Sequence, residues 1–406
     1  MSGTSMDGID AALVRISGAP DKPRVKLLAF HSFPYPRWLQ KRLLSLAAGT
    51  STTTSELSRL NTLLGELFGD AAARVCVRGR VKPSRLSVVG SHGQTIFHFG
   101  GFISKKGKDE AWGIDVTRLP ELQGALDDGA LPDVTYVGRP STLQIANPAV
   151  IAEIVGAPVV AEFRSADAAA GGQGAPLVPM VDYLLLRDKK QGTVALNIGG
   201  IANITVIPAG AKPEDVFGFD TGPGNMIIDA LVRHFTAGRS DFDKGGSIAA
   251  RGKLLDNVLA EAMDFPFFCQ TPPKSAGREQ FGSDFVKRYF LSQREARFED
   301  LVRTATELTV ATIAGALEQF VFPRARVQRL VVSGGGAHNR VLLAGLQAFL
   351  PNLSTDLSDR YGLPVDAKEA IAFAVLADRT MRGLPGNLPS VTGARRAVVL
   401  GALTRP

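Results

Sequence analysis

Hydrophobic and polar positions along the chain change period several times, and each change predicts an element. "IDAALVRI" (9–16) alternates as a half-buried strand does, and "RVKLLAFHSFPY" (24–35) reads as its hairpin partner. From Thr53 to Arg78 the apolar residues Leu57, Leu60, Leu64, Leu67, Phe68, Ala71 and Val75 recur at helical spacing, which predicts one long amphipathic helix. "LSVVG" is a short buried strand that delivers SHGQT (91–95) at its end. Residues 100–141 are weakly patterned and rich in Gly, Lys and Asp, so much of this stretch is expected to be an irregular insertion. "NPAVIAEIVG" predicts a helix with Asn147 as N-cap and Pro148 in its first turn, and "APVVAEF" predicts a strand.

A second cycle follows. "GTVALNIGGIANITVI" is two strands around a glycine turn, and "DTGPGNMIIDALVRHF" is a loop and a helix. "VQRLVVSGGGAHNRVLLAGLQAFL" is strand, glycine loop and helix, and "DAKEAIAFAVLADRTM" is a final helix. Glycine turns at strand ends in both halves predict a duplicated α/β unit, with an N-terminal lobe over 1–190 and a C-terminal lobe over 191–406. The last helix is a candidate to pack back on the first lobe.

Composition narrows the class. The chain has 406 residues, 45% hydrophobic and 21% charged, as a globular protein does. The net charge of +7 is not gathered into a tail and few aromatics interleave with it, so nucleic acid is not the expected partner, although an anionic small substrate is compatible. Lys105, Lys106 and Lys108 read as a solvated loop. Cys76 and Cys269 are the only two cysteines and form no metal-binding or CxxC pattern, which fits a reducing compartment. No basic head precedes an apolar stretch and no apolar run nears the roughly 20 residues of a span, so the expected location is cytoplasmic, with no membrane partner.

Candidate chemistry sits in the glycine loops. The opening MSGTSMDGID has Gly3 and Gly8 for unusual backbone conformations, Thr4 and Ser5 as hydroxyl donors, and Asp7 and Asp10 able to hold hydrated magnesium. Taken by itself, this loop is better explained as an ordinary hairpin turn. Three more such turns change the balance: NIGGIAN with Asn197, Gly199 and Gly200; DTGPGN with Asp220, Gly222 and Gly224; and SGGGAHN with Gly334, Gly335 and Gly336. Four such loops suggest a phosphorylated ligand, and neither the P-loop nor the strand–GxGxxG–helix fingerprint is present. A Gly8→Val change is expected to block phosphate space and leave the fold intact. In "EFRSADAAAGGQGAPLVP", Asp167 is either a partly desolvated general base or the cap of a helix starting at Ala168. Gln173 and Gly174 lie close by for a ligand. His92, Gln94 and Thr95 of SHGQT suit hydrogen bonding to a sugar, and a Ser91–His92 nucleophilic pair is disfavoured because neighbours on a strand point to opposite faces. Glu369, an acid in an apolar helix, is either salt-bridged or directed to a ligand.

The order of these loops resembles the ATPase superfamily of sugar kinases, actin and heat-shock chaperones. MSGTSMDGID, SHGQT, FRxxDxAAGGQGAPLVP, NIGGIANIT, DTGPGNxxID, SGGGxHN and "SVTGARRAVVLG", in this order from residue 1 to about 401, are similar to those of the anhydro-N-acetylmuramic acid kinase family. The resemblance implies a two-lobed actin-like α/β fold, a duplicated mixed sheet flanked by helices with a central cleft. It implies a peptidoglycan-recycling enzyme that opens the 1,6-anhydro bond of anhydro-N-acetylmuramic acid with water and phosphorylates O6 from ATP. By the same resemblance Asp167 is the base and Gly3, Thr4, Ser5, Met6, Asp7, Gly8, Ile9 and Asp10 grip phosphate. The other loops contribute Asn197, Gly199, Gly200, Asp220, Gly222, Gly224 and Gly334–Gly336. Asp7 and Asp220 hold Mg2+, and His92, Gln94, Thr95, Gln173, Gly174 and Glu369 contact the sugar. A homodimer is the candidate assembly. Glu162 replaces the aspartate usual before Phe–Arg. The alternatives are a kinase of the same superfamily for another sugar or small acid, or a non-catalytic nucleotide switch. The latter calls for a partner-binding domain, and the sequence suggests none.

Overall fold

Long apolar repeats become the longest elements of the computed structural model, which describes residues 1–3, 6–100 and 140–406. Residues 101–139 of the expected insertion, with Lys105, Lys106 and Lys108, lie outside the described residues, as do Thr4 and Ser5. Strands β1 (Gly8–Ala19) and β2 (Lys22–Pro34) pair as a hairpin across Pro20 and Asp21. After helix α1 (Arg37–Ala47), the predicted long helix is α2 (Thr54–Arg78), whose buried stripe includes Leu60, Leu64, Phe68, Ala71 and Val75. Its N-cap is Thr53, whose hydroxyl accepts the Glu56 N–H at 3.2 Å.

The chain divides into two compact units, each discontinuous in sequence. The first comprises Met1–Ile9, Ser32–Leu177 and Leu376–Pro406, and the second comprises Asp10–His31 and Val178–Val375. These units do not follow a single cut at residue 190, because the chain's last segment supplies a strand to a sheet begun far upstream.

In the first unit that sheet has the order β12–β6–β3 among the described residues, from β3 (Val89–Gly90), β6 (Val159–Ala161) and β12 (Ala402–Thr404). β3 runs parallel to β6 and β12 antiparallel to it. SHGQT does not extend β3. Instead Gln94 and Thr95 open β4 (Gln94–Phe99), which pairs antiparallel with β5 (Ser141–Ile145). Helix α3 (Pro148–Val155) starts as predicted, with Asn147 accepting the Ala149 N–H at 3.0 Å. It packs on α2 closely enough that a Cβ on Gly65 would meet the Asn147 carbonyl at 2.9 Å. Helix α4 (Ser165–Ala169) follows β6.

The second unit contains α5 (Val178–Leu186) and a mixed sheet of order β9–β8–β7–β10–β11 among the described residues. β7 (Thr193–Ile198), β8 (Ile201–Ile207) and β9 (Phe217–Pro223) form an antiparallel meander. β10 (Arg329–Ser333) joins β7 in parallel, and β11 (Ser354–Leu357) joins β10 in parallel. Val194, Leu196, Ile198, Leu330 and Val332 pack with Val310, Ile313 and Ala314 of α8 (Phe298–Ala316). Burial explains why these strands read as nearly continuous apolar runs. The predicted helices α6 (Met226–Phe235), α9 (Arg340–Phe349) and α10 (Lys368–Met381) all form, with α7 (Asp256–Met263) between α6 and α8. The fold class is α/β, and no described helix is long and apolar enough to cross a membrane.

Candidate active site

Asp167 lies inside α4, whose N-cap is Arg164, so the capping role that the sequence allowed is not the one observed. Its side chain is 0% exposed. Oδ1 accepts from Asn387 Nδ2 at 2.6 Å and from Thr392 Oγ1 at 2.7 Å, and Oδ2 accepts the Gly174 N–H at 2.8 Å. An ionised carboxylate offers about four acceptor positions, and three are filled here by protein donors. One position, on Oδ2, is left among the described residues. A buried carboxylate without these donors would be strongly disfavoured. Glycine is required twice: Gly174 has φ +70°, and a Cβ on Gly172 would collide with Oδ2.

The network continues through Arg164. Its Nη1 donates to the Gly174 carbonyl at 3.1 Å and its Nε to His92 Nε2 at 3.0 Å. His92 Nδ1 lies 3.0 Å from the Gly93 carbonyl, so the proton belongs on Nδ1 and Nε2 accepts. Burial, and then the Arg164 charge, hold the His92 pKa well below that of a free imidazole, so the ring is neutral. His92 is thus a hydrogen-bonding support for Arg164. Gln94 also differs from its expected use. It is fully buried, with Oε1 2.6 Å from Ser2 Oγ and Nε2 donating to the carbonyls of Gly3 (3.4 Å) and Thr95 (3.2 Å). It therefore ties SHGQT to the opening loop. Thr95 Oγ1 accepts from Gln144 at 3.1 Å. The Gln173 backbone N–H donates to the Thr392 carbonyl at 2.8 Å, which holds the glycine turn beside Asp167 against the segment that supplies Thr392.

In the opening loop Met6 and Ile9 are buried, so only their backbone is available to a ligand, and Asp7 is exposed. Gly8 serves the fold directly. A Cβ there would collide with the Phe33 carbonyl oxygen and approach Pro34 Cα to 2.9 Å. This overturns the expectation that Gly8→Val spares the fold. The variant should lose stability by about 1–3 kcal/mol, as overpacked sites do, measurable as a lower urea midpoint.

In the second unit, strand register aligns a polar row at one end of the apolar sheet. Asp220 pairs with Asn203, Asn203 with Asn197, and Asn197 with Ser333. The three glycine turns meet there. The N–H groups of Gly224 and Asn225 donate to the carbonyls of Gly200 and Gly199, each at 2.8 Å. Their glycines fall into two kinds. Gly222 (φ +154°) and Gly334 (φ +81°) hold conformations other residues resist, and a Cβ on Gly224 or Gly336 would collide with Gly199 or Ile198. Gly199, Gly200 and Gly335 have neither constraint: the nearest atoms to a Cβ would lie at 3.6, 3.5 and 3.7 Å. Nothing within the fold demands glycine at these three.

Asp220 Oδ2 accepts the Ala276 N–H at 2.8 Å, and burial pushes its carboxyl pKa up to about 6. Among the described residues no three His, Cys, Asp or Glu side chains gather to hold a metal. Below the loop, Lys368 Nζ forms a buried pair with Asp182 at 2.8 Å and donates to Ser333 Oγ at 3.2 Å, fixing the strand end that leads into SGGGAHN. Glu369, half-buried, occupies the first turn of α10 in this unit.

Sequence reasoning missed Arg164, Asn387, Thr392, Asp182 and Lys368. Arg164 and Thr392 do fall within quoted motifs, but no local pattern indicates that Thr392 and Asn387 bond to an acid over 200 residues away.

The sequence profile of the family described as anhydro-N-acetylmuramic acid kinase matches residues 1–106 and 134–406. The anhydro-N-acetylmuramic acid kinase of Caldanaerobacter subterraneus subsp. tengcongensis is 42% identical over 406 residues, covering 100% of this chain and 95% of that protein. That of Salinibacter ruber is 42% identical over 410 residues with the same coverage. Among solved structures, component A of (R)-2-hydroxyglutaryl-CoA dehydratase from Acidaminococcus fermentans aligns over 92% of this chain and 99% of its own, at TM-score 0.41 and 10% identity. That likeness is too weak to carry an argument.

Proposed function

The chain belongs to the anhydro-N-acetylmuramic acid kinase family, and on that premise we propose that Asp167 is the general base that couples opening of the sugar's anhydro ring to phosphorylation. The observation that carries this is the buried carboxylate, held by three donors with one acceptor position left on Oδ2 among the described residues. A base needs an orientation that does not relax during proton transfer, and this network supplies it. Oδ2 takes a proton from water as the water oxygen bonds to C1. The C1–O6 bond breaks, its electron pair stays on O6, and O6 becomes the phosphoryl acceptor. Arg164 fixes the carbonyl of Gly174, whose N–H orients Oδ2.

ATP supplies the phosphoryl group when bound, and Mg2+ neutralises phosphate charge. Gly199, Gly200 and Gly335, where an added Cβ would meet no atom closer than 3.5 Å, support a nucleotide site on the second unit, with Asp220 as the carboxylate of the polar row.

The reading is tested by coupled ADP release with anhydro-N-acetylmuramic acid, N-acetylmuramic acid and N-acetylglucosamine. ADP should appear with the anhydro sugar and far more slowly with the other two. Absence of release with the anhydro sugar, or equal rates with all three, overturns it. An Asp220→Asn variant should need more Mg2+ for half-maximal rate, by about tenfold, the size of one weakened charged contact of ~1.4 kcal/mol. An unchanged Mg2+ requirement removes Asp220 from the metal site.

A further inference from the structure

Asp182 and Lys368 are both buried, and Lys368 Nζ lies 2.8 Å from Asp182 Oδ1. Asp182 sits in α5 among the buried residues Met180, Val181, Tyr183 and Leu184. Taking two charges out of water into such a place costs more than their attraction commonly returns, and apolar residues of similar volume often serve a core as well or better. A buried pair of this kind is therefore poorly explained by stability. A second polar group beneath the same loop is also left at a cost. Ser358 follows Leu357, the register partner of Val332, and its fully buried hydroxyl has no hydrogen-bond partner among the described residues.

What the ammonium touches next supplies a reason. Lys368 Nζ donates to Ser333 Oγ at 3.2 Å, and Ser333 Oγ donates to the Leu196 carbonyl at 3.2 Å. A lysine can only donate, so it makes the hydroxyl an acceptor on one side and turns its proton toward Leu196. Ser333 ends β10 and begins SGGGAHN, and Leu196 directly precedes Asn197, where NIGGIAN begins. Side chains alternate along β10. Leu330 and Val332 face α8, so Ser333 faces the other side, where Lys368 reaches it. Immediately beyond, Gly334 is wedged against the other turn: an added Cβ would lie 2.7 Å from Asn197 Oδ1 and 2.8 Å from the Ile198 carbonyl oxygen. A displacement of Ser333 is thus passed to two glycine turns at once. Asp182, Lys368, Ser333 and Leu196 all belong to the second unit.

We propose that Asp182 and Lys368 are positioning residues for the nucleotide, acting through Ser333 to hold SGGGAHN and NIGGIAN in one register. The proposal rests on the reading of these turns as a nucleotide site. Neither side chain of the pair touches the ligand; Asp182 aims the ammonium, and the ammonium aims the hydroxyl.

The test uses the full chain and a nonhydrolysable ATP analogue. Replacing the pair together, Asp182→Leu with Lys368→Met, should leave the melting temperature unchanged or raised, because no charge is left unpaired. Its affinity for the analogue should fall about tenfold, equal to ~1.4 kcal/mol. Turnover at saturating ATP should stay within about twofold of wild type, and KM for the sugar should not move, the pattern of lost nucleotide binding alone. Lys368→Met alone should melt well below the double variant, since it strands the Asp182 carboxylate. Ser333→Ala keeps the pair and removes the hydroxyl between it and the loop, so it should weaken the analogue by the same factor. Unchanged analogue affinity in either variant, or a double variant as unstable as Lys368→Met, overturns the proposal. If the wild-type protein binds no analogue, the nucleotide reading itself fails and takes the pair's role with it. Normal binding by wild type and variants alike removes only the role of the pair.

Discussion

Asp167→Asn should lower turnover by at least ~10²-fold and up to ~10⁴-fold, the range lost when a positioned general base is removed. The rate alone does not settle the role, because the structure predicts a stability loss as well. Three donors converge on this carboxylate: Asn387, Thr392 and the Gly174 N–H. An asparagine that keeps its oxygen toward the first two turns its NH2 against the third, leaving buried donors opposed at a cost of about 1–3 kcal/mol. From sequence alone the substitution looks nearly silent for folding, since Asn and Asp cap helices equally well. The control is therefore Thr392→Val, which removes one donor and keeps the carboxylate. It should cost comparable stability and lower turnover by less than about tenfold, because the base survives. Urea midpoints and single-turnover rates, measured together, separate the two effects. Isotope analysis adds an independent readout: oxygen from labelled water should appear at C1 of the sugar and not in the phosphate. A near-normal rate in Asp167→Asn, an equal rate loss in both variants, or label in the phosphate would sink the role.

Periodicity and capping made the helices legible. Asn147 caps where the sequence places it, because a cap is a contact within one turn. The strands around NIGGIAN were legible for a related reason, since a sheet buried on both faces writes itself as an apolar run. The division into units was not legible in the same way. β12 pairs with β6, and Asn387 and Thr392 reach Asp167, across most of the chain's length, and loop closure on that scale leaves no local mark. Glycine loops were found but could not be sorted. Gly8 reads as a ligand position in sequence, yet its missing side chain makes room for the Phe33 carbonyl. Gln94 likewise reads as a sugar contact, yet it spends its amide on Ser2, Gly3 and Thr95. In each case the deciding atom belongs to a residue distant in sequence or to its backbone.

Sorting the glycines yields the second large effect. Gly335→Val should weaken ATP binding at least ~30-fold, about 2 kcal/mol, while the fold stays intact. Gly335 is exposed, its φ is ordinary, and the nearest atom to an added Cβ is Asn225 Nδ2 at 3.7 Å. The fold therefore tolerates a side chain, and replacing glycine at a compatible φ tends to stabilise by about 0.4–1 kcal/mol through the unfolded state. The proposed nucleotide site does not tolerate it, because a branched side chain would stand between SGGGAHN and a flat ring approaching the loop. Gly336→Ala reverses the pattern. Its Cβ would collide with Ile198 beneath the loop, so it should lose about 1–3 kcal/mol of stability. Titration with a nonhydrolysable ATP analogue, alongside thermal melts, compares the pair. If these glycines serve only the turn, Gly335→Val binds nucleotide as wild type does. That result, in a protein that melts normally, would remove SGGGAHN from the nucleotide site. Weakened binding at unchanged stability would identify Gly335 as a position kept small for its ligand.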